Sequence, residues 1–349
     1  MFRFQASNDP IRVKVLKVDE TGSGLLGAHL QVYDSKDTLV AEFDSVKEGT
    51  VLSGLKAGTY TLKETKVPNG YVKASDITFT VLDQAGIQSV SMTDLFTKTT
   101  FLKLSSVDHD LFVEGASLEL RRKADDPKSV VSTIRGEQVS WVSGKGEMVF
   151  YGIPEGSYYL VETKAPEGYA LAEPILVSIK GSLTNRAVLY NVPFADLTVV
   201  KKIKANEINF ANGEPTFLFF VTGADSSGKV HTYSTALTFT KEYVESHTEA
   251  DGYVSLSYTW DAIAVSRSYE VYEAGVCRYY LSGVSSLNPN VTIRKDAKGG
   301  YGVLPRDAFT VKADLQAKSS GTSITFVNRK QTWGDYSHNG IVKNQIRVK

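Results

Sequence analysis

Three ionisable residues stand where a strand's core-facing row should stay apolar. In IRVKVLK that row runs Ile11, Val13, Val15 and then Lys17; in YTLKE it runs Tyr60, Leu62 and then Glu64; in VSMTD it runs Val90, Met92 and then Asp94. Residues two apart on a strand share a face, so a Lys, a Glu and an Asp each end an apolar row. The placement recurs as Leu197, Val199, Lys201, then Tyr269, Val271, Glu273, then Ile324, Phe326, Asn328. One such residue alone is an ordinary strand end reaching solvent. Its recurrence in corresponding places points to a shared buried site.

Burial disfavours charge, lowering the pKa of a Lys and raising that of a Glu. A neutral amine is a nucleophile, and a protonated Glu can donate a hydrogen bond to a side-chain carbonyl while relaying protons. The expected product is an amide between two side chains. Lys17 with Asp94 would release water, and Lys201 with Asn328 would release ammonia. Fixed neighbours supply the proximity that makes the encounter unimolecular. Lys202, the alternative to Lys201, is out of phase with Leu197 and Val199.

The elements that must position these residues are repeated. YTLKETKVPNGY at Tyr60 to Tyr71 returns as YYLVETKAPEGY at Tyr158 to Tyr169. A Gly-Ala pair precedes an alternating run in each copy, Gly27-Ala28 before HLQVYD and Gly115-Ala116 before SLELRR. A longer, more divergent third copy opens with LTVVKK, carries SYEVYE in place of YYLVET, lacks the Pro-x-Gly-Tyr turn and closes with ITFVN. Its extra length, between Asn206 and Tyr269 and between Val276 and Thr322, is expected in loops or added strands. Short runs rich in Val, Ile, Thr, Tyr and Phe, punctuated by Gly, Asn, Asp and Pro, predict all-β sandwiches. Only TKEYVESH, Thr240 to His247, predicts a helical turn. The expected domains are 11–97, 98–194 and 195–330, followed by a linker or tail over 331–349.

Composition narrows the function. The 349 residues carry 39 Lys plus Arg against 39 Asp plus Glu, so no basic field attracts a nucleic-acid partner. The single Cys277 excludes a disulfide framework or Cys-based metal cluster and reads as a buried, inert thiol. Histidines 29, 109, 231, 247 and 338 have no metal-ligand spacing and read as surface residues; neither metal nor cofactor is implied. Gly299-Gly300 in DAKGGYG reads as a hairpin turn. Trp141, Trp260 and Trp333 read as core or loop packing. No run approaches the roughly 18 apolar residues of a membrane span. MFRFQASNDP lacks the apolar run of a signal peptide.

The two E-T-x-x-P-x-G-Y boxes, the K-V-D-E-T-G…G-A opening at Lys17 to Ala28 and the closing MTD and FVN strands resemble the Cna B-type (SpaA-like, prealbumin-like) domains of Gram-positive surface adhesins and pilins. The resemblance covers about residues 11 to 330, and the third domain is similar to the longer pilin-backbone variety. It implies three tandem immunoglobulin-like or prealbumin-like sandwiches with autocatalytic isopeptide bonds. Carried over, Glu64 and Glu273 are the proton relays, and Lys17 with Asp94 and Lys201 with Asn328 are the joined pairs.

The second domain departs from the pattern. Glu162 and Asn191 sit where expected, but aligning Val107-Asp108 with Val18-Asp19 puts Ser106 in place of Lys17 and Lys103 on an outward face. A relic site without a cross-link follows, with Glu162 hydrogen-bonded to Asn191. The resemblance further implies an extracellular, cell-surface stalk whose partners are other domains of a surface protein or pilus. Neither an LPxTG-like signal nor a hydrophobic tail occurs in the chain. The alternative is an adhesive module binding host matrix protein or glycan through third-domain aromatics such as Tyr253, Tyr258, Trp260, Tyr279 and Tyr280.

Overall fold

Strands dominate the computed structural model, which describes residues 10–274, 278–295, 309–315 and 321–330. Cys277, Gly299-Gly300, Trp333, His338 and the 331–349 tail lie outside the described residues. Three separate apolar cores form. The first gathers Val13, Val15, Leu30, Leu62 and Met92; the second gathers Phe101, Leu118, Leu160 and Leu189; the third gathers Leu197, Val199, Phe217, Val271 and Phe326.

Each core is served by an opening, a box and a closing strand. The opening strands are Arg12–Asp19, Lys98–Ser105 and Phe194–Lys204; the box strands are Gly58–Lys66, Gly156–Lys164 and Ser266–Glu273; the closing strands are Ile87–Phe96, Asn185–Asn191 and Thr322–Lys330. Burial alternates along Arg12–Asp19, which buries Val13, Val15, Lys17 and Asp19. The ionisable residue therefore falls on the inner face because of its phase.

Within otherwise antiparallel sheets, the opening and closing strands of the first and third sandwiches pair in parallel. Lys17 lies opposite Met92 with Asp94 two residues further on. Lys201 lies opposite Phe326 with Asn328 again two further on. In the first and third sandwiches the box strand belongs to the other sheet. Its Glu thus approaches from across the gap of roughly 10 Å between packed sheets. In the second, Lys98–Ser105 is flanked by Met148–Tyr151 and the closing strand, with the box strand again in another sheet.

The third sandwich uses its extra length for added strands, Thr216–Ala224, Val230–Thr238 and Tyr253–Ala264 among them. The helix Lys241–His247 forms where the sequence places it, capped by Thr240, whose hydroxyl accepts from Tyr243 N at 3.1 Å. By contact density the chain divides into two compact units. Of the described residues, one comprises those up to Leu104 with Phe112–Ala165 and Ala172–Leu189; the other comprises Ser105–Leu111, Pro166–Leu171 and those from Tyr190. Among the described residues no helix is long and apolar enough to cross a membrane.

Candidate functional site

The first cluster is Lys17, Glu64 and Asp94, all fully buried. The Lys17 amine donates to Asp94 Oδ1 and lies 3.3 Å from Glu64 Oε1. Glu64 Oε2 accepts the Ala74 amide at 3.0 Å, because the Pro-x-Gly-Tyr turn folds the chain back over the box strand. Burial raises the Glu64 pKa, opposed by the Ala74 amide and the Lys17 charge. A proton held on Glu64 Oε1 is therefore within reach of the Lys17 amine.

The third cluster has the same parts in a different arrangement. Lys201 Nζ donates to Glu273 Oε2 at 2.7 Å, and Asn328 Nδ2 donates to Glu273 Oε1 at 2.6 Å. The carboxyl thus bridges amine and carboxamide. Burial depresses Lys201 to about 8 against the pull of Glu273. Burial likewise raises Glu273, opposed by Lys201 and Asn328. Both shifts move the pair toward neutral amine and neutral acid, the forms that nucleophilic attack and proton relay require. Lys202 instead reaches outward to Glu249 and Asp251, at 3.1 and 3.2 Å.

The middle sandwich corrects the sequence reading. Lys103, expected to point outward, is only 3 % exposed, and its amine lies 3.4 Å from Glu162 Oε1. Burial depresses it to about 8, opposed by Glu162. Glu162 Oε2 accepts the Ala172 amide at 2.6 Å, ten residues on, as Glu64 accepts Ala74. Ser106 does not occupy the lysine position: it is half-buried, and its hydroxyl pairs with Ser226 at 2.7 Å. Anchoring the alignment on Val-Asp displaces the register by three residues. An odd displacement turns every side chain to the opposite face. Anchored instead on Phe101, which joins the second core, the two-residue period carries inward to Lys103. The loop from there to Gly115 is then two residues longer than the loop from Lys17 to Gly27. Asn191 is fully buried, and its Nδ2 donates to Ala170 O at 2.6 Å.

Of the aromatic residues of the third sandwich, Phe217 and Tyr279 pack inward beside the lysine, Tyr253 and Tyr280 are half-buried, and Tyr258 is exposed. The Lys201 amine stands 4.4 Å from the Phe217 ring centre, and Phe217 contacts the buried Tyr279 at 5.5 Å between centroids. Trp260 is buried against Tyr258, and Trp141 packs between Phe101 and Phe150. Phe217 and the two capping amides escape sequence reasoning, since neither a backbone N–H nor a ring on an added strand carries a motif.

A pH dependence follows for a chain in which Lys201 stays an amine. In Asn328→Ala, the folded Lys201 near 8 binds its proton less tightly than the unfolded residue near 10.5. Between those values the unfolded chain holds more protons, so stability rises with pH. Melting temperatures from pH 8 to 10.5 should climb more steeply in Asn328→Ala than in Asn328→Ala with Lys201→Met. Equal slopes would show that Lys201 titrates normally.

Comparison with known proteins agrees with these repeats. The model of the SpaA prealbumin-like fold domain matches residues 11–95 and again 98–192. A search of curated proteins finds no match. Among solved structures, the Bacillus anthracis TIE protein aligns at 17% identity and TM-score 0.39 over 93% of this chain and 51% of its own. BcpA, the major pilin subunit of Bacillus cereus, aligns at 14% identity and TM-score 0.29 over 92% of this chain and 100% of its own. The shaft pilin SpaA of Lactobacillus rhamnosus GG aligns at 14% identity and TM-score 0.25 over 53% of this chain and 98% of its own. The chain spans about half the length of the Bacillus anthracis protein. With two matched copies that together cover more than half of its residues, the chain belongs to the SpaA family of prealbumin-like fold domains.

Proposed function

We propose that this chain is a structural stalk segment of a bacterial cell-surface protein or pilin, displayed outside the cell and stiffened by amide bonds that it makes within itself. The observation that carries the reading is a buried lysine beside a buried glutamate in each of three sandwiches. Such pairs cost several kcal/mol in desolvation, a cost that a covalent product removes. The only chemistry required is on the chain's own side chains, and its partners are neighbouring domains of the same surface assembly.

In the first sandwich Lys17 passes a proton to Glu64, and the neutral amine attacks Cγ of Asp94. The C–N bond forms as a C–O bond breaks. Two of the three ammonium protons pass through Glu64 to the departing oxygen, which leaves as water. In the third, Lys201 attacks Cγ of Asn328, and two protons pass through Glu273 to the departing nitrogen, which leaves as ammonium. In the second, Lys103 takes the part of Lys17, Glu162 that of Glu64, and Asn191, the residue aligned with Asp94, that of the acceptor.

Intact mass of the denatured protein tests this directly. The wild type should lack one water and two ammonias. Glu64→Ala should regain the water, and Glu162→Ala and Glu273→Ala one ammonia each. A mass equal to that of the unmodified sequence would refute the proposal. A deficit of one water and one ammonia, with peptide mapping that finds Lys103 free, would confine the chemistry to the outer sandwiches.

A further inference from the structure

The ionisable chemistry of the box ends at its Glu, yet the Pro-x-Gly-Tyr turn beyond it does more than carry the Ala74 amide. Its Gly70 carbonyl accepts the amide of Thr97 at 2.9 Å, and Thr97 is the single residue between the first closing strand and the second opening strand. Thr97 is completely buried. Its hydroxyl donates to Ile153 O at 2.8 Å, and its carbonyl accepts from Gly152 N at 2.8 Å. A residue linking two domains would ordinarily be exposed and free to swivel. This one has its amide, carbonyl and hydroxyl all bonded.

The surfaces around it interlock. Gly70 has φ +86°, and a Cβ there would lie 2.5 Å from Ile134 Cγ2. Gly152, at φ +74°, would place a Cβ 2.8 Å from Ile134 Cγ1. The Ile134 side chain of the second sandwich therefore sits where only two glycines leave room. Beside it, Asn69 Oδ1 accepts the Glu155 amide at 3.0 Å. The first sandwich and the bulk of the second accordingly fall in one compact unit. The second turn makes a corresponding bond: Gly168 O accepts the Phe194 amide at 2.8 Å, here from the residue that begins the next opening strand.

We infer that the turn in the first box is a docking socket for the sandwich that follows it, which locks the two into a single rigid body. The contacts are noncovalent and lie outside the lysine clusters, so the inference stands apart from the cross-links. The test uses the full chain with Cys277→Ser and spin labels on Lys36→Cys and Lys145→Cys, exposed sites in the first and second sandwiches. Electron–electron distance measurement should give one narrow peak. Asn69→Ala with Ile134→Ala removes the side-chain acceptor and the inserted side chain without touching either core. Its expected effect is loss of that peak to a broad distribution, with the intact-mass deficit and the unfolding transitions unchanged. A broad distribution in the parent, or a peak equally narrow in the double variant, would overturn the inference. Should the double variant lose an unfolding transition, Asn69→Ala alone, which removes only an acceptor at an exposed site, must still broaden the peak for the inference to survive.

Discussion

Stretched from its two ends, the first sandwich of the wild-type chain should release no length, whereas Glu64→Ala should release a step of ~270 Å. Opening and closing strands lie side by side and parallel, so tension enters along one and leaves along the other. Lys17 and Asp94 are 77 residues apart in the chain, and the amide proposed between them would remove that stretch from the path of force. At roughly 3.5 Å per extended residue the hidden length is the ~270 Å given above. Beyond Asp94 the path crosses Leu95, Phe96 and Thr97 and enters the next opening strand at Lys98, five residues before Lys103. Glu64→Ala leaves the Lys17–Asp94 ion pair in place, so the sandwich stays folded at rest and opens only under load. Single-molecule extension with a fixed handle at each terminus reads the outcome. A ~270 Å step in the wild type would mean that no covalent bypass exists.

The phase of side chains made much of this legible. Lys17, Glu64 and Asp94 ended apolar rows at a period of two, and a sandwich gives that period one inner face. The duplicated box made the repeat visible as well. What stayed hidden depended on register or on three-dimensional return of the chain. The Val-Asp dipeptide hides Lys103, because it sets a register that opposes the Phe101–Lys103 phase, and a loop two residues longer absorbs the difference. The amides of Ala74 and Ala172 could not be read, since each reaches its Glu only after the turn closes. Nor did the sequence show that Glu273 would bridge Lys201 and Asn328 while Lys17 bonds Asp94 directly. That difference comes from the neutrality of Asn328.

It also makes one substitution unequal in two places. Losing either of the proposed cross-links would free an unfolded loop, and by analogy with a disulfide of that span would cost roughly 4 to 5 kcal/mol. Glu64→Ala stops there, because Lys17 keeps the charge of Asp94 as its partner. Glu273→Ala leaves Lys201 buried beside a neutral carboxamide and an aromatic ring. An uncompensated buried charge costs a further ~3 to 5 kcal/mol, and the two together approach the whole stability of an ordinary domain, about 5 to 15 kcal/mol. Glu273→Ala should therefore leave the third sandwich marginal or unfolded at room temperature, while Glu64→Ala lowers the first domain's transition and preserves it. Denaturant melts followed by domain-resolved hydrogen exchange separate the two. Adding Asn328→Asp to Glu273→Ala returns an opposite charge to Lys201 and should recover most of the second loss without restoring the proton relay. If the double variant is no more stable than Glu273→Ala, the buried charge is not what distinguishes the two sandwiches.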